Sequence, residues 1–259
     1  RVERRKPQGA VDALLLDLSG VLYDDNKVID GAIDCVREAR HLGLQLRFVT
    51  NTATRSHHRI LQQLLGMGFS IESRELYTAP RAAATYLEQH NLSPLALVHP
   101  SIASEFSHLT KTQPNCVVLG DARDGLTYEA LNQAFRLCHQ GLPLIGIGLN
   151  RYFNGSNGLM LDAGGFITGL AWAAQVEPII MGKPSAKFYQ HIVASTGLNA
   201  KQCLMVGDDV AADVVGAVAA GLQACLVQTG KFRANDLHQL PQEARTIASI
   251  NDLFKAYAR

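Results

Sequence analysis

The chain has 259 residues, of which 47% are hydrophobic and 18% are charged, and its formal net charge is +1. This composition supports a substantial buried core and excludes wholesale disorder, and the near-neutral balance gives no sign of a nucleic-acid or membrane surface. No segment approaches the roughly 20 uninterrupted apolar residues of a bilayer-spanning helix. The first ten residues, RVERRKPQGA, lack the apolar core of a secretory signal and are expected to form a solvated arm. The five cysteines include no CxxC pair and most have apolar neighbours, which is typical of buried thiols in a cytoplasmic protein.

Apolar runs of four to six residues alternate with helical patterns along the chain. ALLL (13–16) predicts a strand that is buried on both faces. Residues 31–43 predict a helix, with Asp30 as its N-cap and Gly43 as its C-terminal stop. QLRFVT (45–50) predicts the next strand.

The same alternation continues to the end of the chain. The later strand patterns are LALVH, CVVLGD, PLIGIGLN, IIMGKP, LMVGDD and ACLVQTG. Helical patterns lie between most of them, which predicts an α/β fold with a Rossmann-like, three-layer parallel-sheet core. Polar residues at strand ends concentrate near the two ends of the chain and are sparse from about 77 to 179. We therefore expect a discontinuous core of residues 1–76 and 180–259, with residues 77–179 inserted as a cap domain.

Four predicted strands end on reactive polar residues, which are Asp17, the pair Thr50 and Asn51, Lys183, and Asp208 with the nearby Asp209 and Asp213. Each signal alone is ordinary, since acids after a strand often form turns or begin a helix. Ligands bind at the carboxyl ends of the strands in open parallel sheets, so we expect these groups to meet at one sheet edge.

The chemistry of these groups is complementary. Carboxylates such as Asp17 and Asp208 are hard oxygen ligands that suit Mg²⁺, which binds one or two carboxylates together with substrate phosphate. The side chains of Thr50 and Asn51, with local backbone N–H groups, can donate to phosphate oxygens, and Lys183 offers a positive charge. A carboxylate can also act as a nucleophile and form an aspartyl-phosphate.

The set DLSGV, VTN, GKP and GDDVAAD resembles the haloacid dehalogenase-like hydrolase superfamily. The large insert between the second and third motifs is similar to the subgroup with an α/β cap of the C2 type. Within the superfamily, the segments DLSGVLYD, PNCVV, SNGLMLD, GDDVAADVVGA and QTGKF resemble the phospholysine phosphohistidine inorganic pyrophosphate phosphatase family. The resemblance covers nearly the whole chain after the N-terminal arm.

The resemblance implies a role for each site residue. Asp17 would be the nucleophile and a Mg²⁺ ligand, Ser19 would offer its backbone carbonyl to the metal, and Asp208 would be a further ligand. Asp209 and Asp213 would support these ligands, and Ser19 and Lys183 would act in catalysis with Asp17. The substrate would be bound by Asp17, Leu18, Ser19, Thr50, Asn51 and Lys183.

Ser19 occupies a position where many phosphatases of this superfamily carry an aspartate that acts as general acid and base. Positioned acid–base catalysis contributes roughly 10²–10⁴-fold, so its absence needs an explanation. The substrate could have a good leaving group, as in phosphohistidine, phospholysine or pyrophosphate. Alternatively, Asp24 or Asp25 substitutes, or the protein is a weakly active regulatory or interaction protein. We favour the first explanation. The enzymatic alternative is a phosphatase with broad specificity for small-molecule phosphomonoesters.

Two cap segments carry candidate specificity residues. One contains Asn150, Arg151 and Tyr152, and the other contains Asp121, Arg123 and Asp124. A guanidinium in either segment could bind a second phosphate or a carboxylate, although ordinary exposed loops have the same composition. The expected partner is a small-molecule or phosphoamino-acid substrate, and exposed apolar cap faces could support a homodimer.

Overall fold

The computed structural model of the chain describes residues 10–257, so the expected N-terminal arm lies outside the described residues. The described residues form two compact units. The first contains residues 10–50, 61–77 and 183–257, and the second contains residues 51–60 and 78–182. The division into a core of 1–76 and 180–259 and a cap of 77–179 stays a prediction.

The strands are β1 (Ala13–Asp17), β2 (Tyr23–Asp24), β3 (Lys27–Val28), β4 (Gln45–Thr50), β5 (Leu76–Thr78), β6 (Pro94–Leu97), β7 (Cys116–Leu119), β8 (Leu144–Ile147), β9 (Tyr152–Gly155), β10 (Gly158–Leu161), β11 (Ile179–Met181), β12 (Cys203–Gly207), β13 (Gln223–Val227) and β14 (Arg245–Ile247). The helices are α1 (Ala32–His41), α2 (His57–Gly66), α3 (Ala79–Gln89), α4 (Tyr128–His139), α5 (Ala163–Ala174), α6 (Ala186–Thr196), α7 (Gly216–Ala219) and α8 (Leu253–Ala256). A π-helical segment, Val210–Val215, precedes α7. None of the helices in the described residues has the length and apolarity needed to cross a bilayer.

A six-stranded sheet with the order β14-β13-β12-β1-β4-β5 organises the first unit. The neighbouring strands from β14 to β4 are parallel. Residues 13–16 of β1 are at most 2% exposed, because this strand lies in the middle of the sheet with side chains packed on both faces. The predicted parallel-sheet α/β fold is confirmed.

Helix α1 follows the predicted pattern, but its N-cap is Gly31 and not Asp30. Gly31 has a φ of 83°, a left-handed conformation that glycine adopts without a steric penalty. Its carbonyl accepts a hydrogen bond from the amide of Cys35, so the helix begins one residue later than the acidic side chain suggested.

The second unit has its own parallel sheet, with the order β11-β8-β7-β6, and an antiparallel hairpin of β9 and β10. Its core is formed by β7, β8, α4 and α5, and includes Val117, Leu119, Ala134, Leu144 and Ile167. Strand β11 pairs with β8. The strand that precedes Lys183 therefore belongs to this second sheet and not to the six-stranded sheet.

Candidate active site

Asp17 and Asp208 lie where the strand order of the six-stranded sheet reverses. Strand β1 has β4 on one side and β12 on the other, and the chain continues from β1 to β4 before it returns through β12. Ligands of open α/β sheets bind at this kind of switch point, at the carboxyl ends of the strands. Asp17 ends β1 and Asp208 directly follows β12, so two acidic side chains leave the sheet at the position where a ligand is expected.

Lys183 connects two of the acids of this first unit. Its Nζ atom donates to Asp17 Oδ1 at 2.9 Å and to Asp213 Oδ1 at 2.7 Å. The Lys183 side chain is 4% exposed, that of Asp17 14% and that of Asp213 0%, so water screens both ion pairs weakly. The lysine thus fixes the position of the strand-end carboxylate while it is itself held by Asp213.

The charges and the burial perturb the protonation of all three groups. Burial raises the pKa of Asp17, and the charge of Asp208 raises it further, against a lowering by Lys183. Burial and Asp17 raise the pKa of Asp213 to about 7, although Lys183 opposes them. Burial lowers the pKa of Lys183, but Asp17 and Asp213 together outweigh burial and raise that pKa above its ordinary value. The ammonium is therefore kept charged by its two carboxylate neighbours.

Asp17, Asp208 and Asp213 form an acidic cluster that is close enough to hold a metal ion. One carboxylate oxygen from each lies within 4.8 Å of the others. Asp208 Oδ2 accepts the amide of Lys231 at 2.7 Å, whereas Asp208 Oδ1 is buried and has no hydrogen-bond partner among the described residues. A buried, unpaired carboxylate oxygen is costly unless a ligand satisfies it. The donor set therefore fits a hard divalent cation.

Asp213 differs from Asp208 in that both of its oxygens have partners. Oδ1 accepts from Lys183, and Oδ2 accepts the amide of Asp209 at 3.1 Å. The Asp209 side chain in turn accepts the amide of Ala212 at 3.0 Å and so caps the π-helical segment. These contacts give Asp213 and Asp209 a supporting geometry around the cluster.

The remaining predicted residues are distributed as follows. Ser19 is exposed, whereas Leu18 is only 1% exposed and belongs to the core. Thr50 ends β4 and is 6% exposed. Asn51 belongs to the second unit, where its Oδ1 atom would lie 3.1 Å from a Cβ added at Gly182.

Comparison with known proteins identifies the family. A family model described as haloacid dehalogenase-like hydrolase matches residues 14–120, and a model of HAD-hydrolase-like proteins matches residues 180–253. A phospholysine phosphohistidine inorganic pyrophosphate phosphatase from Xenopus laevis is 42% identical over 87% of this chain and 86% of its own. The human protein of that name is 37% identical over 97% of this chain and 94% of its own. The chain belongs to the haloacid dehalogenase-like hydrolases.

A solved structure supports the same assignment. A p-nitrophenyl phosphatase from Archaeoglobus fulgidus is 25% identical and superposes with a TM-score of 0.87, covering 95% of this chain and 99% of its own. The chain is thus an enzyme of the hydrolase class, and phosphatase is the class that these named relatives share.

Three residues of this hydrolase act on the site through contacts that the motifs did not reveal. The Thr229 hydroxyl donates to the Gly20 carbonyl at 2.5 Å, and the backbone amide of Lys231 holds Asp208. The Tyr189 hydroxyl donates to the carbonyl of Ala212 at 2.7 Å, within the π-helical segment. The segment QTGKF was the available signal for the first two. It directs attention to the Lys231 side chain, which is 76% exposed, whereas the contact uses the backbone amide.

In the second unit, one of the two candidate specificity segments has an organised arginine. The Nε atom of Arg123 donates to both oxygens of the buried Asp121, at 2.8 and 2.9 Å. The Arg123 guanidinium also lies over the ring of Phe153, 4.5 Å from its centroid. In the other segment, Arg151 and Tyr152 are exposed.

Proposed function

We propose that this hydrolase is a Mg²⁺-dependent phosphatase that forms an aspartyl-phosphate at Asp17 and acts on P–N or P–O–P bonds. The observation that carries the proposal is the Lys183 ammonium between Asp17 and Asp213, beside the unpaired Oδ1 atom of Asp208. A dehalogenase would instead need an apolar pocket for a halide. Buried carboxylates and an ammonium suit a metal-bound phosphoryl group better.

The metal would be held by Asp17, Asp208 and the backbone carbonyl of Ser19. When bound, Mg²⁺ would supply positive charge that balances the carboxylates and the phosphoryl oxygens. Asp213, whose two oxygens are already paired, would instead hold Lys183 in position.

In the first step, an oxygen of the Asp17 carboxylate attacks the phosphorus atom while the bond to the leaving group breaks and the leaving group takes the electron pair. Lys183 stabilises negative charge on the phosphoryl oxygens, and Thr50 and backbone N–H groups near Leu18 hold that group in line. In the second step, the oxygen of a water molecule forms a bond to phosphorus while the bond between phosphorus and the Asp17 oxygen breaks, and the protons of the water leave with the phosphate. This step releases inorganic phosphate and restores the Asp17 carboxylate.

The side chain of Ser19 determines the preferred leaving group. A serine hydroxyl cannot donate a proton as a carboxylic acid does, so an alkoxide leaving group would depart without assistance. Phosphate from pyrophosphate and a neutral amine or imidazole from a protonated phosphoramidate need no such proton. The names of the relatives with 36–42% identity include phospholysine, phosphohistidine and inorganic pyrophosphate, which supports this substrate class.

Phosphate release from a substrate panel tests the proposal. The panel contains pyrophosphate, phosphohistidine, phospholysine, p-nitrophenyl phosphate and a sugar phosphate, each with Mg²⁺ and with chelator. We expect Mg²⁺-dependent release that is fastest on the P–N and P–O–P compounds and is abolished in Asp17→Asn. Equal or faster turnover of the sugar phosphate would contradict the substrate assignment.

A pair of substitutions isolates the role of Ser19. Because the side chain is exposed, both Ser19→Asp and Ser19→Asn can be accommodated. We expect Ser19→Asp to raise turnover of the sugar phosphate by at least about tenfold, toward the usual contribution of a general acid, and Ser19→Asn to leave it unchanged. A similar gain in both variants would show that the missing acid does not limit the reaction.

The enzymatic alternative is a phosphatase of phosphomonoesters, which the p-nitrophenyl phosphatase of similar structure favours. A protein with a regulatory or interaction role would keep its partner binding in Asp17→Asn. We further propose that residues 77–179 form a cap that selects the substrate, that the enzyme is cytoplasmic, and that exposed apolar side chains such as Trp172 and Leu159 support a homodimer.

A further inference from the structure

Two hydrogen bonds join the loop after β13 to Gly20, in the turn after Asp17, and to Asp208. The Thr229 hydroxyl donates to the carbonyl of Gly20 at 2.5 Å. Two residues later, the amide of Lys231 donates to Asp208 Oδ2 at 2.7 Å. The segment Thr229–Gly230–Lys231 thus contacts both the turn that follows Asp17 and the carboxylate that follows β12.

Close backbone packing couples these three parts. A Cβ at Gly230 would overlap Asp208 Oδ2 and the Cα of Gly20, and a Cβ at Gly20 would overlap the Asp208 carboxylate. Both glycines also have positive φ angles, of 62° and 87°, which side chains disfavour. Because no side chain separates the two loops, a displacement of either loop also displaces the Asp208 carboxylate.

We propose that Thr229 is a positioning residue for the metal site. The inference rests on the proposed function, in which the carbonyl of Ser19 and the carboxylate of Asp208 are metal ligands. The Gly20 carbonyl, which Thr229 holds, is one peptide unit from the Ser19 carbonyl. Groups that orient metal ligands from outside the ligand set typically contribute 10–100-fold to metal affinity.

The hydroxyl of Thr229 is the testable part of this arrangement. The Lys231 side chain is 76% exposed and its ammonium is 4.0 Å from Asp209, so this ion pair contributes little. The contact of Lys231 with Asp208 uses a backbone amide, which a side-chain substitution does not remove. Thr229→Val removes the donor and keeps the shape of the side chain. Thr229→Ser restores the donor.

Thr196 provides a matched control. Its hydroxyl also donates to a backbone carbonyl, that of Val193, at 2.6 Å. It ends α6, and its own carbonyl accepts from the side chain of Gln45, the first residue of β4. Thr196 therefore lies near the first residue of β4, at the opposite end of that strand from Thr50.

The experiment measures Mg²⁺ binding to the full chain by titration calorimetry, together with the melting temperature. We expect Thr229→Val to weaken Mg²⁺ binding by about tenfold or more, and Thr229→Ser to stay within about threefold of the wild type. Thr196→Val should lower the melting temperature without changing Mg²⁺ affinity. If Thr229→Val does not fold, Thr229→Ala provides the same comparison, because it also removes the hydroxyl.

Three results would overturn the proposal. They are unchanged Mg²⁺ affinity in Thr229→Val, an equal weakening in Thr196→Val, and an absence of Mg²⁺ binding in the wild type. Failure of the proposed function has a different signature. A wild type that binds Mg²⁺ but releases no phosphate from any compound of the panel refutes that function, while the comparison of Thr229 variants still reports on the metal site.

Discussion

Replacement of Lys183 by methionine is the strongest test of the site's electrostatics. Methionine keeps the length and apolar stem of lysine but removes the ammonium, which donates to Asp17 at 2.9 Å and to Asp213 at 2.7 Å. Removing one partner of a buried ion pair costs about 3–5 kcal/mol, because the remaining charge stays buried without a partner. We expect a loss near the lower end, about 3 kcal/mol, since Asp213 and Asp17 can take up protons when the lysine is absent.

The same substitution should decrease phosphate release strongly. A protonated Asp17 is not a nucleophile, and the phosphoryl oxygens lose a fixed positive charge whose removal typically costs about 10²–10³-fold in turnover. Urea unfolding followed by circular dichroism measures the stability, and phosphate release from pyrophosphate with saturating Mg²⁺ measures the turnover.

Lys201→Met is the matched control, because Lys201 is exposed, and it should change neither quantity. If Lys183→Met unfolds at the same urea concentration as the wild type, the buried ion pairs do not stabilise the fold. If it is stable but keeps more than about a tenth of the turnover, Lys183 does not stabilise the transition state.

Three further predictions concern the first unit. Glu75→Gln weakens the contact with Arg40, whose terminal nitrogens donate to Glu75 at 3.0 and 2.7 Å. It should lower the free energy of unfolding, measured by urea unfolding, by about 1–3 kcal/mol, a moderate value because Arg40 is about one-third exposed. Gly230→Ala should both destabilise the protein and weaken Mg²⁺ binding in calorimetry, whereas Gly43→Ala, also at positive φ but with open space around a Cβ, should cost only about 1 kcal/mol and leave binding unchanged. Burial lowers the pKa of His191 from its ordinary value of 6.5, so the unfolded chain binds this proton at a higher pH than the folded chain. Stability should therefore fall as the pH drops below 6.5, and His191→Phe should reduce this pH dependence of the melting temperature.

The sequence predicts the sheet core well because the relevant signal is local. Four consecutive apolar residues in β1 indicate burial on both faces. The residue that ends such a strand, Asp17, lies at the carboxyl end of the sheet. Element boundaries are less secure. The N-cap of α1 is Gly31, whose backbone is left-handed, and not Asp30, whose acidic side chain is the usual capping type.

Local sequence patterns predict strands but do not predict which strands pair. The apolar residues of β11 predict a strand, and Lys183 follows it as expected, but β11 pairs with β8 and not with the sheet that carries Asp17. Which strand becomes a neighbour depends on contacts far apart in sequence. The charge on Lys183 does not depend on this pairing, because the two carboxylates of Asp17 and Asp213 stabilise its ammonium.

Backbone groups are the part of the site that a list of side chains cannot reveal. Lys231 attracts attention as a cation, yet its amide holds Asp208, and any non-proline residue supplies an amide. The close approach of this backbone to Asp208 is reflected one residue earlier in the chain. A Cβ at Gly230 would overlap the Asp208 carboxylate, so this position requires glycine. A glycine beside a predicted ligand loop is therefore evidence of close backbone approach. In this hydrolase it points to Thr229, whose hydroxyl donates to the Gly20 carbonyl in the turn after Asp17.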